Sequence, residues 1–425
     1  MHRIKSILRK IPCLPKFYSF SIYLYWRYLK EKLYKKLYLS RDVEIINVFG
    51  SDTCQSFFGY YNVSPFNKLG DVLCCELSGN YKNVGRYESV SLCVKNLNMS
   101  TKIGSSNAWN WQQGCMLQWY GDANETIIYN DYSVEENAYI SVIKNIKNGH
   151  VRKINYPVYS VSNDGVFALS LNFDRLALLR PDYGYSNRKV SWEDIPDDTE
   201  DGVYYIDLIE NKRRLILSLD VLKNYKPTDN MKSSMHKVNH IDISPGKQRF
   251  MFLHRWIGPE GRFMRLLSAN CSDGKDLYCI TGNQMVSHNC WWGEKDIISF
   301  CRIHDGRDRY VHFKDQVGFV KLIGEHTLLK DGHPTVSPDG LWMIADEYPG
   351  KSRYSKLLLY NLKKETIFEL GRFYQPHRFL GENRIDLHPR WDVLGQGLIS
   401  IDSGHQGERR HYVLNVERIT KNESS

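Results

Sequence analysis

The sequence predicts an all-β protein: a seven-bladed β-propeller with a short N-terminal basic, aromatic helical arm. Three observations lead there. A turn phrase recurs imperfectly, as His333-Pro-Thr-Val-Ser-Pro-Asp-Gly and then Ser64-Pro-Phe-Asn-Lys-Leu-Gly-Asp, Ser162-Asn-Asp-Gly, Ser244-Pro-Gly-Lys and His388-Pro-Arg-Trp-Asp. Short β-like runs flank these turns, such as Asp71-Val-Leu-Cys-Cys-Glu-Leu and Leu341-Trp-Met-Ile-Ala. Pro presets φ at the first central turn position, and Asp-Gly supplies the polar bend and the positive φ. The 425 residues also hold ten Trp, 28 Tyr and 17 Phe, a composition that suits strands better than a helical bundle. A tight turn repeated between β runs is the mark of a propeller.

Residues 1–41 come first. They carry eleven Lys or Arg against one acid, Glu31, whereas the remaining 46 basic and 47 acidic residues balance. Pro12 and Pro15 interrupt the start, and residues 16–39 fit a helix with aromatic side chains on one side and Lys30, Lys32, Lys35 and Lys36 near its end. Such a helix suits an anionic membrane surface; packing on the propeller with a solvated lysine face accounts for it equally well. The expected division is an arm at 1–45, a propeller at 46–420 and a disordered tail at 421–425. Within the propeller, seven β units fall at 57–94, 114–143, 158–207, 238–280, 288–317, 333–360 and 388–416. Their spacing of roughly 40–90 residues exceeds a compact blade. The excess lies in polar loops such as 181–202, the kind that carry function.

Composition also excludes. A body of balanced charge argues against nucleic-acid binding. No run of 18 apolar residues exists to cross a membrane as a helix. Phe17-Tyr-Ser-Phe-Ser-Ile-Tyr-Leu-Tyr-Trp is short, tyrosine-rich and followed by no small-residue cleavage site, which argues against secretion. Ten scattered Cys without a C-x-x-C pair suit a reduced, cytoplasmic protein, either free or peripheral on the inner membrane face. Glycine-rich phosphate loops and the Gly-x-Ser-x-Gly elbow are absent, so phosphoryl transfer, dinucleotide chemistry and serine hydrolysis lack support.

The candidate chemistry lies in three groups. Histidines recur at blade starts or beside the turn phrase: His236, His240, His288, His333 and His388, with His254-Arg255-Trp256 ending a strand and His405 ahead of Arg409. In a propeller such positions converge on one axis, where neutral imidazoles bind a divalent metal or act as a base. Any single histidine there also serves to bond a backbone carbonyl; recurrence argues for the set. Tyr159, Arg175, Arg180, Tyr183 and Tyr185 form a second group, in which Tyr159 and Arg175 flank a turn between strand runs. Tyr supplies an acid or base, Arg pairs with a carboxylate, and paired rings stack on sugar. Trp109-Asn-Trp-Gln-Gln-Gly, with Trp111 and Gln113, is the third; it suits carbohydrate recognition or an inter-blade core.

Phe58-Gly-Tyr-Tyr with Ser64-Pro, Trp111-Gln-Gln-Gly, His240-Ile-Asp-Ile-Ser-Pro, His254-Arg-Trp, Gly332-His-Pro-Thr-Val-Ser-Pro-Asp-Gly and Asp402-Ser-Gly-His-Gln-Gly-Glu-Arg-Arg, in that order, resemble the seven-bladed propeller polysaccharide lyases. The ulvan lyases are nearer and the oligogalacturonate lyases more distant. The resemblance covers roughly residues 46–417. It implies β-elimination on an acidic, uronate-containing polysaccharide or oligosaccharide. Tyr159 would be the acid or base and Arg175 the carboxylate neutraliser, with His240 and His254 also catalytic. It further implies a divalent metal (Mn, Zn or Ca) on His240, His288 and His333, with His405 as a fourth ligand. Trp111, Gln113, Tyr183, Tyr185, Arg255 and Arg409 would bind substrate. The second unit departs from the ulvan lyase pattern: Gln113 and Asn130 stand where that branch places histidines. The basic arm opens an alternative, a membrane-associated bacterial protein of capsule or lipopolysaccharide assembly, transferase-like or a glycan-binding scaffold, without lyase activity.

Overall fold

The computed structural model describes residues 36–79, 88–96, 100–121, 124–282 and 284–424. Seven antiparallel sheets form the ring, six of four strands and one of five. Blades 1–5 and the first four strands of blade 6 are built from consecutive strands, the first being the innermost, and inner strands of neighbouring blades contact one another around the axis. The blades span 54–106, 118–154, 160–218, 235–279, 286–323, 335–374 and 390–415.

The turn phrase works as its chemistry dictates. In blade 6 the Ser337 hydroxyl accepts Trp342 N–H at 3.0 Å, Asp339 Oδ1 accepts Leu341 N–H at 3.0 Å, and Gly340 takes φ 72°. Blade 3 repeats this with Ser162 and Phe167 N–H at 3.1 Å, Asp164 and Val166 N–H at 3.1 Å, and Gly165 at φ 71°. Serine and aspartate thus satisfy the turn amides, while only glycine adopts the left-handed bend without strain.

The ring closes by a device the unit boundaries did not anticipate. Glu44–Phe49 pairs antiparallel with Arg410–Asn415 and supplies the outer strand of blade 7. Leu37–Leu39 adds the fifth strand of blade 6, against Ile367–Tyr374. The expected helix over 16–39 therefore ends in a β-strand within its described part; the rest, with the basic arm, lies outside the described residues. Residues 421–424, expected as tail, belong to a helix at Glu417–Ser424. Across the seam, Asp402 accepts Phe58 N–H at 3.2 Å, Arg390 Nη2 at 2.9 Å and His411 Nδ1 at 2.8 Å. Among the described residues no helix is long and apolar enough to cross a membrane.

Blade 3 carries the excursion that matters for the axis. Between its second and third strands lies the helix Phe173–Leu179, capped by Asn172 Oδ1, which accepts the Asp174 and Arg175 amides. The chain beyond it brings Arg180, Asp182 and Tyr183 towards the axis. In blades 4 and 5 the inner strand is broken by register shifts, between Asn239 and Asp242 and between Val286 and Asn289. Such a bulge re-aims a side chain; here the re-aimed ones are His240 and His288.

Candidate metal and glycan site

The inner strands and the turns beside them bring side chains from every blade together at one end of the axis. Blade 1 contributes Tyr60 and Tyr61, blade 2 Gln113, blade 3 Tyr159, and blades 4 to 7 His240, His288, His333 and His388. The His288 and His333 ring centroids are 4.1 Å apart, and those of His333 and His388 4.3 Å. Tyr61 lies against all three of these rings, and Tyr60 stacks on His240 at 5.0 Å.

Three imidazoles are fixed in the same sense. His288 Nδ1 meets Asp331 at 3.0 Å, His333 Nδ1 meets Asp346 at 2.8 Å, and His388 Nδ1 donates to the Gly59 carbonyl at 2.9 Å. Holding the proton on Nδ1 leaves the Nε2 lone pair facing the chamber, the arrangement that outer carboxylates and carbonyls impose on metal-binding histidines. Asp346 does more than hold one ring. Its carboxylate also accepts the His333 amide at 2.7 Å and the Leu387 and His388 amides at 3.0 and 3.3 Å. One buried group thus positions ligands from two blades. Gly332 is required for this approach, because a Cβ there would fall 1.5 Å from the Asp346 carbonyl oxygen.

The compact donor set is His333, Asp386 and His388, all buried, with their ligand atoms within 4.8 Å of one another. His388 Nε2 is buried with no hydrogen-bond partner, an orphaned acceptor of the kind a cation satisfies. The Tyr348 hydroxyl sits 3.4 Å from both His288 Nε2 and His333 Nε2. Asp386 Oδ2 also takes Arg384 Nε at 2.8 Å. Imidazole Nε2 atoms beside a carboxylate fit a divalent transition metal.

Electrostatics divide the histidines. Burial, then Arg255 and Arg180, hold His240 well below the ordinary imidazole range. Burial and neighbouring His333 do the same to His388, and burial lowers His288. Burial works against His333 too, but the Asp346 carboxylate outweighs it and raises that pKa. His240 is thus a neutral ring, with Nδ1 buried and unpartnered and its backbone at φ 52°. The Tyr159 hydroxyl accepts Gln113 Nε2 at 2.7 Å and the His240 amide at 3.0 Å. With both lone pairs engaged, its remaining role is as a donor, and burial pushes its pKa up, which keeps the proton on.

Several expected residues lie elsewhere. Arg175 belongs to a helix, not a strand, and its guanidinium is used up by Asp201 at 2.6 Å, Asp198 at 3.2 Å and the Pro196 and His236 carbonyls. His254 is bonded to His236 at 2.9 Å and to Arg265 at 3.2 Å inside blade 4. His405 meets Ser403 at 3.0 Å and packs on Phe373 and Tyr412, away from the other imidazoles. Arg409 lies over the Trp111 ring at 4.4 Å and donates to Asn383, so both are spent on packing. Tyr185 stacks on Phe173 and receives Asn130 Nδ2 at 2.9 Å. His240, His288, His333, Tyr159, Gln113 and Tyr183 do gather at the axis, and Arg255 is close enough for its charge to depress His240.

The site also contains residues not singled out as ligands. His388-Pro repeats His333-Pro, so the turn phrase itself pointed to His388. Asp346 and Asp331 had no sequence signal, because each acts across a loop, whereas Asp386 stands two residues before His388.

No protein-family model matches the chain, and no curated protein matches it in sequence. Its fold is similar to that of an oligogalacturonate lyase. That solved structure, in complex with manganese, is 12% identical, covers 89% of this chain and 97% of its own, and superposes with a TM-score of 0.59. A prolyl endopeptidase matches at 10% identity over 84% of this chain and 45% of its own, with a TM-score of 0.48. TolB from Acinetobacter baumannii matches at 13% identity over 67% and 59%, with a TM-score of 0.38. Identities this low carry the propeller fold and nothing finer.

Proposed function

We propose that the protein is a metal-assisted polysaccharide lyase that cleaves a uronate-containing glycan by β-elimination. The observation that carries this is the set of Nδ1-anchored imidazoles of His288, His333 and His388 beside a neutral His240 with an unpartnered nitrogen. His288, His333, His388 and Asp386 would hold the cation, which when bound supplies positive charge to the uronate carboxylate and so acidifies C5–H. His240 is the base that removes the C5 proton. The electron pair forms the C4–C5 double bond as the C4–O bond breaks. Tyr159 hands its proton to the departing oxygen, and solvent exchange restores both side chains. Arg175 has no part in this scheme; the cation takes the role first expected of it. Of the two lyase branches that the sequence resembles, the structural likeness at a TM-score of 0.59 is to the oligogalacturonate branch.

The test is the ultraviolet absorbance of the unsaturated product when purified protein meets polygalacturonate and other uronate polymers, with and without added Mn²⁺. Absorbance that needs metal and vanishes in His240→Asn supports elimination. Silence with every polymer in the presence of metal ends it.

One observation favours the second reading, a glycan-assembly or glycan-binding protein held at an anionic surface through residues 1–41. The Lys36 carbonyl accepts Tyr374 N–H at 3.0 Å, so the basic arm meets the ring at the end of blade 6 where His333 and Asp346 also lie. Association with anionic vesicles, together with a silent elimination assay, would select it.

A further inference from the structure

Beside His240, on the side of blades 3 and 4, three basic side chains stand together with one shared carboxylate near them. Lys237 and Arg255 are cross-strand partners in blade 4 and so project from one face of the sheet. Lys237 is 4% exposed. Among the described residues neither side chain has an ion-pair or hydrogen-bond partner, and Arg255 Nε is fully buried without one. Arg180 reaches the same place from the blade 3 excursion, its guanidinium 4.3 Å from the centre of the Tyr183 ring, which in turn stands edge-on to His240 at 5.3 Å. The nearest carboxylate, Asp182, is shared between Arg180 at 3.4 Å and Arg384 at 2.9 Å. It cannot also neutralise Lys237 and Arg255.

Buried charge without a partner is costly, and folded proteins keep it where a ligand completes it. Three other buried arginines show one contrast. Arg175, Arg249 and Arg390 each meet an aspartate within 3 Å. Arg265 and Arg409 lack a carboxylate but donate to the carbonyls of Lys226, Leu222, Asn383 and Arg384, whereas Lys237 and Arg255 have no such acceptor among the described residues.

We propose that Lys237, Arg255 and Arg180 form an oxyanion subsite that receives a second acidic group of the ligand, a carboxylate, sulfate or phosphate, next to the sugar bound at the histidines. This deepens the glycan-lyase reading, and in that respect rests on it, because it makes the substrate a glycan with an acidic group on the neighbouring residue as well. Tyr183, between Arg180 and His240, offers a ring face for the sugar that joins the two acidic groups.

The test is thermal unfolding and calorimetric titration of the full chain with inorganic sulfate, inorganic phosphate and a galacturonate disaccharide, each against chloride at constant ionic strength and without added metal. At least one of the three should raise Tm saturably, and which one does so names the oxyanion. Lys237→Met and Arg255→Gln should weaken that response at least tenfold, while Lys237→Arg keeps it. In chloride alone Lys237→Met should melt no lower than the parent, since it removes a buried amine that has no partner among the described residues. No saturable response to any of the three, or an undiminished response in Lys237→Met, overturns the subsite. His333→Ala, which strikes the metal side alone, should leave the oxyanion response intact. Oxyanion binding with no elimination of any polymer would therefore keep the subsite and remove the lyase.

Discussion

On the side of blades 5 to 7, each of three imidazoles has Nδ1 tied to Asp331, Asp346 or the Gly59 carbonyl. On the side of blades 3 and 4, Lys237 and Arg255 have no such tie and His240 has a bare Nδ1. The first side has its ring orientations fixed before any ligand arrives, with His388 Nε2 left without a hydrogen-bond partner. The second is left incomplete; left-handed backbone occurs on both sides, at His240 with φ 52° and at His388 with φ 45°. The chamber thus joins a rigid, preorganised wall to a wall whose bonding a ligand must finish. Preorganised ligands lower the reorganisation required on binding, while strain and unpaired charge at a functional position are held in place by the structure around them.

The largest break in this contrast should come from Asp346→Asn. It weakens the anchor of His333 and the amides of Leu387 and His388, and a disrupted buried pair of this kind costs about 3–5 kcal/mol. Denaturant unfolding should show that loss, and Mn²⁺ should no longer raise Tm. A variant that melts like the parent would mean that the carboxylate does not organise the wall. Next in size is His240→Asn, in which elimination should fall by about 10²–10⁴-fold while stability holds or rises, because Asn tolerates the left-handed backbone. A stability loss matching the activity loss would make His240 structural.

Acid should separate the two walls by degree. His240, His288 and His388 have folded pKa values below the ordinary one. The unfolded chain therefore binds protons more readily, and their neutral packing loses stability as pH falls below about 6.5. His333 is raised, so its contribution is complete below about 6.5 and fades as pH rises through its folded value. Three groups against one predict a falling Tm from pH 7 to pH 5, with Mn²⁺ binding lost in parallel as protons compete for Nε2. A Tm flat across that range would contradict the burial of these rings.

A smaller effect concerns the opposite mouth of the axis. Asp242 there has one side-chain partner, Asn62 at 3.3 Å, and burial pushes its pKa up to about 7. A carboxyl raised in the folded state gives stability that is lost as pH rises through that value. Asp242→Asn should therefore raise Tm at pH 8 by more than at pH 5. Smallest of all, His405→Asn should leave metal response and elimination unchanged, since its ring stays with Ser403, Phe373 and Tyr412.

Sequence made the blades legible because a Ser-Pro-Asp-Gly turn is a local device whose residues act on amides a few positions away. It made His240, His288 and His333 legible by recurrence. It misplaced Arg175 because strand runs on both sides of Ser162-Asn-Asp-Gly hid the short helix at Phe173–Leu179, whose Arg175 turns to Asp201. It favoured His405 over His388 because Asp402-Ser-Gly-His read as a site motif; Asp402 instead staples blade 7 to blade 1. Asp331 and Asp346 stayed hidden because their partners are set by the three-dimensional course of loops, not by spacing; Asp386, two residues before His388, becomes legible only once His388 is taken as a ligand. The closing strand was hidden for the same reason, its partner lying at the other end of the propeller.

That closing strand has a consequence for how the molecule is made. Glu44–Phe49 must wait for Arg410–Asn415, which is made only after every blade between them. Until then the nascent ring is an open horseshoe with a bare edge at each end, and contacts so distant along the chain form slowly. The half-built protein is then most exposed to chaperones and proteases, and a premature stop before Arg410 yields an arc that has lost its clasp and the seam beside Gly59, from which His388 is held.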